Sequence, residues 1–528
     1  MNYYLLLILC IITPLCLLAY ALTPKSKRYI VLFTFSLAFY CIYSQFLTAF
    51  TIVSVISIFF AAKGLMQINA KLQNDLQNAK ELDKEAKKAI KKKRNKQKKL
   101  VIAFTIIFNI AILVVLKYSG LFASMFDGIF SWFHVTTSFP VLAIGLPIGI
   151  SYYTLTSIGY LIDVYRGKYE AETNIMKVAV FVMFFPQAYE GPIARYDEMK
   201  PQYDSGGGDN FTKNNVVSGL LLFLYGLMKK MVIADRLAIL VSAIFSNYQN
   251  FGGILVVAGI LAFTFQLYLD FSGFINMAEG ISKMFGIRLA KNFRQPFFSQ
   301  TVSEFWRRWH ISLGAWCKDY IFYSVAMSKG ITKLNKKLRG KVNSFFEIFI
   351  PTTLATLTVW LVMGIWHGSS WLYLIYGLYY FVVMTIGACL EPLHKKIYEK
   401  GKVKQNSRWL VGLRILRTFV LVNIGMLIFR APSISAAFTM FGNIFSIHTG
   451  GHLFDLIAVH DFILAVIGTP LILGVDVLNA KNIFIIERLE RTSPIVRFLC
   501  FLALLLIILI FGAYGVGYTI TDALYGGF

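Results

Sequence analysis

Ser303-Glu304-Phe305-Trp306-Arg307-Arg308-Trp309-His310 opens the stretch on which the reading of this chain turns, and Val359-Trp360-Leu361-Val362-Met363-Gly364-Ile365-Trp366-His367-Gly368 closes it. Between them lie Ser312, Trp316, Lys318, Asp319 and Tyr320, and long apolar segments flank both sides. Charged groups and imidazoles at membrane depth are costly unless they face a protein interior or a water-filled cavity, so they mark function by default. The stretch reads as the wall of a reaction chamber inside a membrane protein.

Composition supports that setting. Of 528 residues, 57% are hydrophobic, 16% aromatic and only 15% charged, with a mean hydropathy of +0.63. Such values belong to an all-α polytopic membrane protein, read as one domain over 1–528. A net charge of +25 would suit nucleic acid. The bases sit in short loops beside apolar spans, however, where the positive-inside rule accounts for them, and no nucleic-acid partner is expected. The six cysteines lie in or beside apolar segments without C-x-x-C spacing, which predicts neither a disulfide framework nor a metal site.

Working outward, residues 3–22 read as a retained span, and Lys25, Lys27 and Arg28 behind it set the N-terminus outside and the following loop in the cytoplasm. Spans at 29–48 and 50–64 return the chain to that side. There a lysine-rich helical segment over 71–99, within a cytoplasmic loop at 65–100, can touch anionic lipid or dock an acidic carrier. A span at 101–118 precedes an amphipathic interfacial stretch at 122–133. Two proline- and glycine-broken segments follow, Leu146-Pro147-Ile148-Gly149 and Phe184-Phe185-Pro186-Gln187 with Glu190-Gly191-Pro192. Broken helices are tolerated in a membrane where protein or a cavity satisfies the freed backbone.

The span at 254–278 carries Asp270, Ser272, Asn276 and Glu279; the last three share a helical face. Asp270 wants a cationic partner such as Arg294, Arg307 or Arg308. Later spans run over 345–366, 370–390, 408–429, 457–478 and 495–518, with an amphipathic stretch at 431–445. About eleven to thirteen membrane segments are expected in all.

No Walker A loop, H-E-x-x-H, G-x-S-x-G elbow or dinucleotide fingerprint is present. The chemistry falls to histidines. His134, His394, His448, His452 and His460 fall in predicted loops or interfaces, whereas His310 and His367 sit in the core. Low dielectric disfavours a charged imidazolium, so a buried imidazole at 367 is a free base able to take a proton from an attacking hydroxyl. Gly368 lets a substrate approach the backbone. A helix through 305–310 places Trp306 and His310 on one face, and Arg307 and Arg308 offer forks for phosphate or carboxylate. These same tryptophans and arginines also fit an interface anchor and topology markers.

Leu146-Pro147-Ile148-Gly149-Ile150-Ser151, Gly191-Pro192-Ile193, Asp270-Phe271-Ser272-Gly273, Phe305-Trp306-Arg307-Arg308-Trp309-His310-Ile311-Ser312-Leu313 and Trp366-His367-Gly368 together resemble the membrane-bound O-acyltransferase (MBOAT) family over a core of about 141–450. Within it the chain is similar to the bacterial branch concerned with O-acetylation of alginate and other exopolysaccharides. The resemblance implies a funnel of transmembrane and re-entrant helices around a central tunnel. It maps the catalytic histidine onto His367 and the second motif histidine onto His310, with Trp306, Arg307, Arg308, Asp270, Asn276, Asp319 and Tyr320 around the substrates. It implies no bound cofactor or metal, an acyl donor that is acetyl-CoA or an acyl carrier, and an acyl group passed across the cell membrane. The recipient it implies is an extracytoplasmic transferase or esterase-like protein that modifies a polysaccharide. A D-alanyl transferase of teichoic acids and a transporter without acyl chemistry are the competing readings. Length, the C-terminal spans and Phe429-Arg430-Ala431-Pro432-Ser433 favour acetylation.

Overall fold

The computed structural model describes residues 3–79, 83–133, 135, 145–401, 404, 407–515, 518 and 524; His134 and residues 141–144 fall outside them. Every regular element among the described residues is helical. Ten are candidate spans by length and apolar content, which makes the chain an all-α, multi-pass membrane protein. One of the ten, Lys25–Asn78, contains two helices, Arg28–Ser44 and Thr48–Asn78, broken where Gln45 turns to φ +49°. Taken separately, they bring the tally to the lower end of the expected range.

Contacts divide the chain into two compact units. One comprises Tyr3–Val216 with Ile281–Ala290, the other Val217–Gly280 with Lys291–Phe528.

In the first unit, Tyr3–Leu22 leads into Arg28, which is buried rather than a loose loop charge. Its Nη1 donates to Gly206 O at 2.9 Å, and its guanidinium lies over the Tyr20 and Phe211 rings. The lysine-rich segment forms a helical hairpin. Asp83 caps the second helix by accepting from Ala86 N, and Arg94–Asp75 (2.8 Å) and Lys98–Asn69 (2.9 Å) tie the two arms. That second helix runs unbroken over Lys84–Trp132, so the expected interfacial stretch at 122–133 is its continuation. The first predicted break is real: Gly149 has φ +66° and a side chain there would strike the Ala188 carbonyl, so the two broken segments close on each other.

The second unit contains all but the first four residues of a span that the hydropathy reading passed over, Lys213–Ser246. Lys229, Lys230, Asp235 and Arg236 interrupt its apolar character, and the structure accommodates them with a wide π turn at Lys229–Ala234. Gly226 lies against Gly273 O and Gly280 against Gly219 O, where any Cβ would collide with backbone. Small residues thus let this span meet Gly253–Met284 at backbone contact. Of the remaining spans, Ser344–His367, Arg408–Arg430 and Val459–Ala480 follow the expected runs closely, whereas Trp371–Lys400 continues well past 390 and Pro494–Phe511 stops short of 518.

Candidate active site

His310 stands at a break, not on a helix face. Thr301 caps Val302–Arg308 by accepting from Glu304 N, and that helix ends at Arg308. Trp309 is extended, and His310 adopts φ +47°, ψ 53° before Ile311–Cys317 begins. The expected pairing of Trp306 and His310 at i and i+4 is therefore corrected: the helix stops two residues short. A left-handed non-glycine residue is strained and persists where its surroundings fix it. Here the irregular segment at 292–294 does so, with Arg294 N donating to Arg308 O and Ile311 N to Asn292 O, both at 2.9 Å.

The side chain of Asn292, absent from the sequence reading, completes this corner. Its Oδ1 accepts from Ser312 N (3.1 Å) and Ser312 Oγ (2.8 Å) and faces His310 Nδ1 at 3.2 Å. His310 is 3% exposed and lies outside the candidate spans. Burial pushes its pKa down from 6.5 to about 3, so the ring is neutral across the physiological range.

His367 ends Ser344–His367 and is 1% exposed. Its ring meets Phe429 edge-on at 5.3 Å and Tyr376 at 5.7 Å. At Gly368 a Cβ would strike the Tyr373 ring, so the glycine's smallness seats that tyrosine beside His367.

One indole joins the two imidazoles. Trp366 lies 5.0 Å from the His367 ring and 6.2 Å from the His310 ring. Phe271 closes the far side of His310 at 4.8 Å. Trp306 belongs to the same cluster, stacked edge-on to Tyr380 (4.8 Å), Trp360 (5.2 Å) and Tyr376 (6.3 Å), the tyrosine that also meets His367. Residues 57 positions apart in sequence thus share one aromatic enclosure, with two ring nitrogens each as the groups able to move protons.

The other expected residues divide. Arg307 is exposed. Arg308 is held by Glu304 at 2.5 Å and by Gln295 O at 3.3 Å. Asp270 takes neither Arg294, Arg307 nor Arg308 as its partner. Fully buried, it pairs with Lys230 at 2.7 Å and accepts from Leu524 N, because the π turn brings Lys230 between Asp270 and Asp235. Asn276 and Ser272 receive Lys229 Nζ at 2.9 and 3.2 Å. Asp319 and Tyr320 sit on the wide turn Lys318–Phe322, where Tyr320 packs on Trp316. The lysine pair was legible in principle, since adjacent cations inside an apolar run need buried partners. Asn292 carried no such signal. Among the described residues no three His, Cys, Asp or Glu side chains gather as a metal would require.

Residues 170–339 match the model of the MBOAT, membrane-bound O-acyltransferase family, a range that contains His310 and stops short of His367. The chain is 34% identical over 344 residues to a protein of Pseudomonas aeruginosa named a probable alginate O-acetylase, covering 65% of this chain and 60% of that one. It is 29% identical over 356 residues to the peptidoglycan O-acetyltransferase of Helicobacter pylori, covering 63% and 62%. Over 286 residues it is 28% identical to the teichoic acid D-alanyltransferase of Bacillus subtilis, covering 53% and 68%. The match to the alginate relative thus spans less than two thirds of that protein's length. With its helical membrane architecture, its matched family region and these relatives, the chain resembles the membrane-bound O-acyltransferases and, among them, the alginate O-acetylases.

Proposed function

We propose that the protein is a membrane-bound O-acyltransferase, acting as an O-acetyltransferase, that passes an acetyl group from a cytoplasmic thioester, acetyl-CoA or an acyl carrier, across the cell membrane toward an extracellular polysaccharide. In this reading the N-terminus lies outside, the loop at 65–100 is cytoplasmic, and an extracytoplasmic esterase-like transferase completes the modification. The observation that carries it is the shared indole: Trp366 lies against both buried imidazoles. The relatives' names support acetylation, the activity named for the alginate and peptidoglycan relatives.

His367 is the general base. It takes the proton of a hydroxyl as the oxygen attacks the thioester carbonyl carbon; the tetrahedral oxyanion collapses, the C–S bond breaks, and the departing thiolate receives that proton. His310 orients or shares the proton. Arg307, exposed at the edge of the cluster, faces the anionic part of the donor. Arg308, already held by Glu304, shapes the approach. Trp306 walls the chamber, and Asp270, Asn276, Asp319 and Tyr320 support the substrate passage.

The test uses full-length protein in liposomes with acetyl-labelled thioester donor. His367→Ala, at equal folded protein, is expected to lower acetyl transfer by about 10²–10⁴-fold. Transfer at the parent rate would remove His367 from catalysis. Movement of intact donor without release of free thiol would favour a transporter, and transfer from a D-alanyl-labelled thioester supplied in a parallel reaction, with none from the acetyl donor, would favour the teichoic-acid reading.

A further inference from the structure

The hydrogen bonds around Asn292 fix more than a side-chain position. The Ser312 backbone N–H can only donate, so the Asn292 atom 3.1 Å from it is the carbonyl oxygen. A reversed amide would set two donors against each other. That oxygen cannot donate, so the His310 nitrogen 3.2 Å away must carry the proton. We propose that Asn292 is a positioning residue that holds His310 as the Nδ1–H tautomer, leaving the lone pair on Nε2 as the ring's acceptor.

Two further observations bear on this assignment. Asn292 is 1% exposed, and its Nδ2 has no hydrogen-bond partner among the described residues. A buried asparagine chosen for stability alone would satisfy both ends of its amide; this one satisfies the oxygen that meets the imidazole. The backbone contributes as well, since Ile311 N donates to Asn292 O while His310 stays left-handed. The conformation that strains His310 is the one that turns Nδ1 onto Oδ1.

The charged groups on the elements around His310 are Lys291 and Arg294 beside Asn292, Glu304, Arg307 and Arg308 on Val302–Arg308, Lys318 and Asp319 beyond Ile311–Cys317, Asp270, Glu279 and Lys283 on Gly253–Met284, and Glu347 and His367 on Ser344–His367. Asp270 pairs with Lys230, and Arg308 with Glu304. The partner that sets the tautomer is the neutral amide. An amide leaves the ring uncharged, whereas a carboxylate at 292 would accept the same two N–H bonds and also stabilise the imidazolium.

The inference rests on the acyltransferase reading for its purpose but not for its test. In bilayers, solid-state NMR of histidine-¹⁵N-labelled full-length protein, with the His310 signals assigned by their loss in His310→Asn, is expected to show Nδ1 protonated and Nε2 bare at pH 7. Asn292→Ala should give a mixture of tautomers. Asn292→Asp should keep Nδ1–H and extend the doubly protonated form to higher pH. An Nε2–H tautomer in the parent protein, or an unchanged His310 spectrum in Asn292→Ala, overturns the proposal. In the transfer assay Asn292→Ala should lose kcat by roughly tenfold or more with KM little changed, while Asn292→Asp should recover part of it with the acid limb of its pH profile moved upward. The predicted tautomer in a protein without transfer activity would refute the proposed function and leave this assignment standing.

Discussion

His310 and Glu172 show how one physical contest, burial against partners, sends two groups to opposite ends of the pH scale. Burial pushes His310 down to about 3. An unfolded chain takes up its proton near 6.5, so the fold loses stability from this group as pH falls below about 6.5, and the loss levels off near 3. His310→Asn should flatten that part of a thermal-unfolding profile in detergent; an unchanged slope between pH 7 and 4 would contradict it. Burial would push Glu172 up, but Lys200 Nζ and Tyr196 Oη at 2.7 Å, with two backbone N–H groups, pull it down to about 2. Its contribution is present above about 4.5 and disappears as pH falls through about 2. Glu172→Gln is expected to cost about 1–3 kcal/mol at neutral pH, read from unfolding midpoints, because donors lose a charged acceptor. At this scale the sequence named His310 and His367 through their isolation in apolar surroundings. Asn292 and Glu172 were invisible because their roles depend on partners brought from elsewhere in the chain.

Among the elements, long apolar runs were legible almost to the residue, as at Ser344–His367 and Arg408–Arg430, because hydrocarbon thickness and helical rise set their length. Two features were not. The turn after Arg308 lies in residues that favour a helix, and the cause of the break is the hydrogen bonding from 292–294. Lys213–Ser246 was passed over because its four charges cancel the apolar signal, whereas in the fold three of them are paired, Lys230 with Asp235 and Asp270 and Arg236 with Asp461, and Lys229 bonds Ser272 and Asn276. Lys230→Met should therefore destabilise the protein by about 3–5 kcal/mol, since it strands two buried carboxylates. The double change Lys230→Met with Asp270→Asn should recover part of the loss. A thermal midpoint for Lys230→Met equal to the parent's would show that the cluster contributes nothing.

Across the whole molecule, the membrane reading follows from composition, and the surface bears it out. Pro494–Phe511 exposes Phe498, Leu499, Leu502, Leu506, Leu509 and Ile510, a face that only hydrocarbon would suit. Leu506→Lys should impair insertion of this helix by about 2.5–3.5 kcal/mol, measurable as the inserted fraction in a translocation assay; full insertion would argue against a lipid-facing span. The net charge of +25 was legible as topology rather than nucleic-acid affinity, and much of it gathers in the hairpin that Arg94–Asp75 braces. That brace has a consequence for reach. Measured along the helix, Lys84 stands about 24 Å from Leu100, where the apolar run begins, and physiological salt screens charge over only about 8 Å. Were this helix to stand along the membrane normal, Lys84 would be about three such lengths from the start of the apolar run, and what it attracts would be decided by the ionic strength of the solution around it.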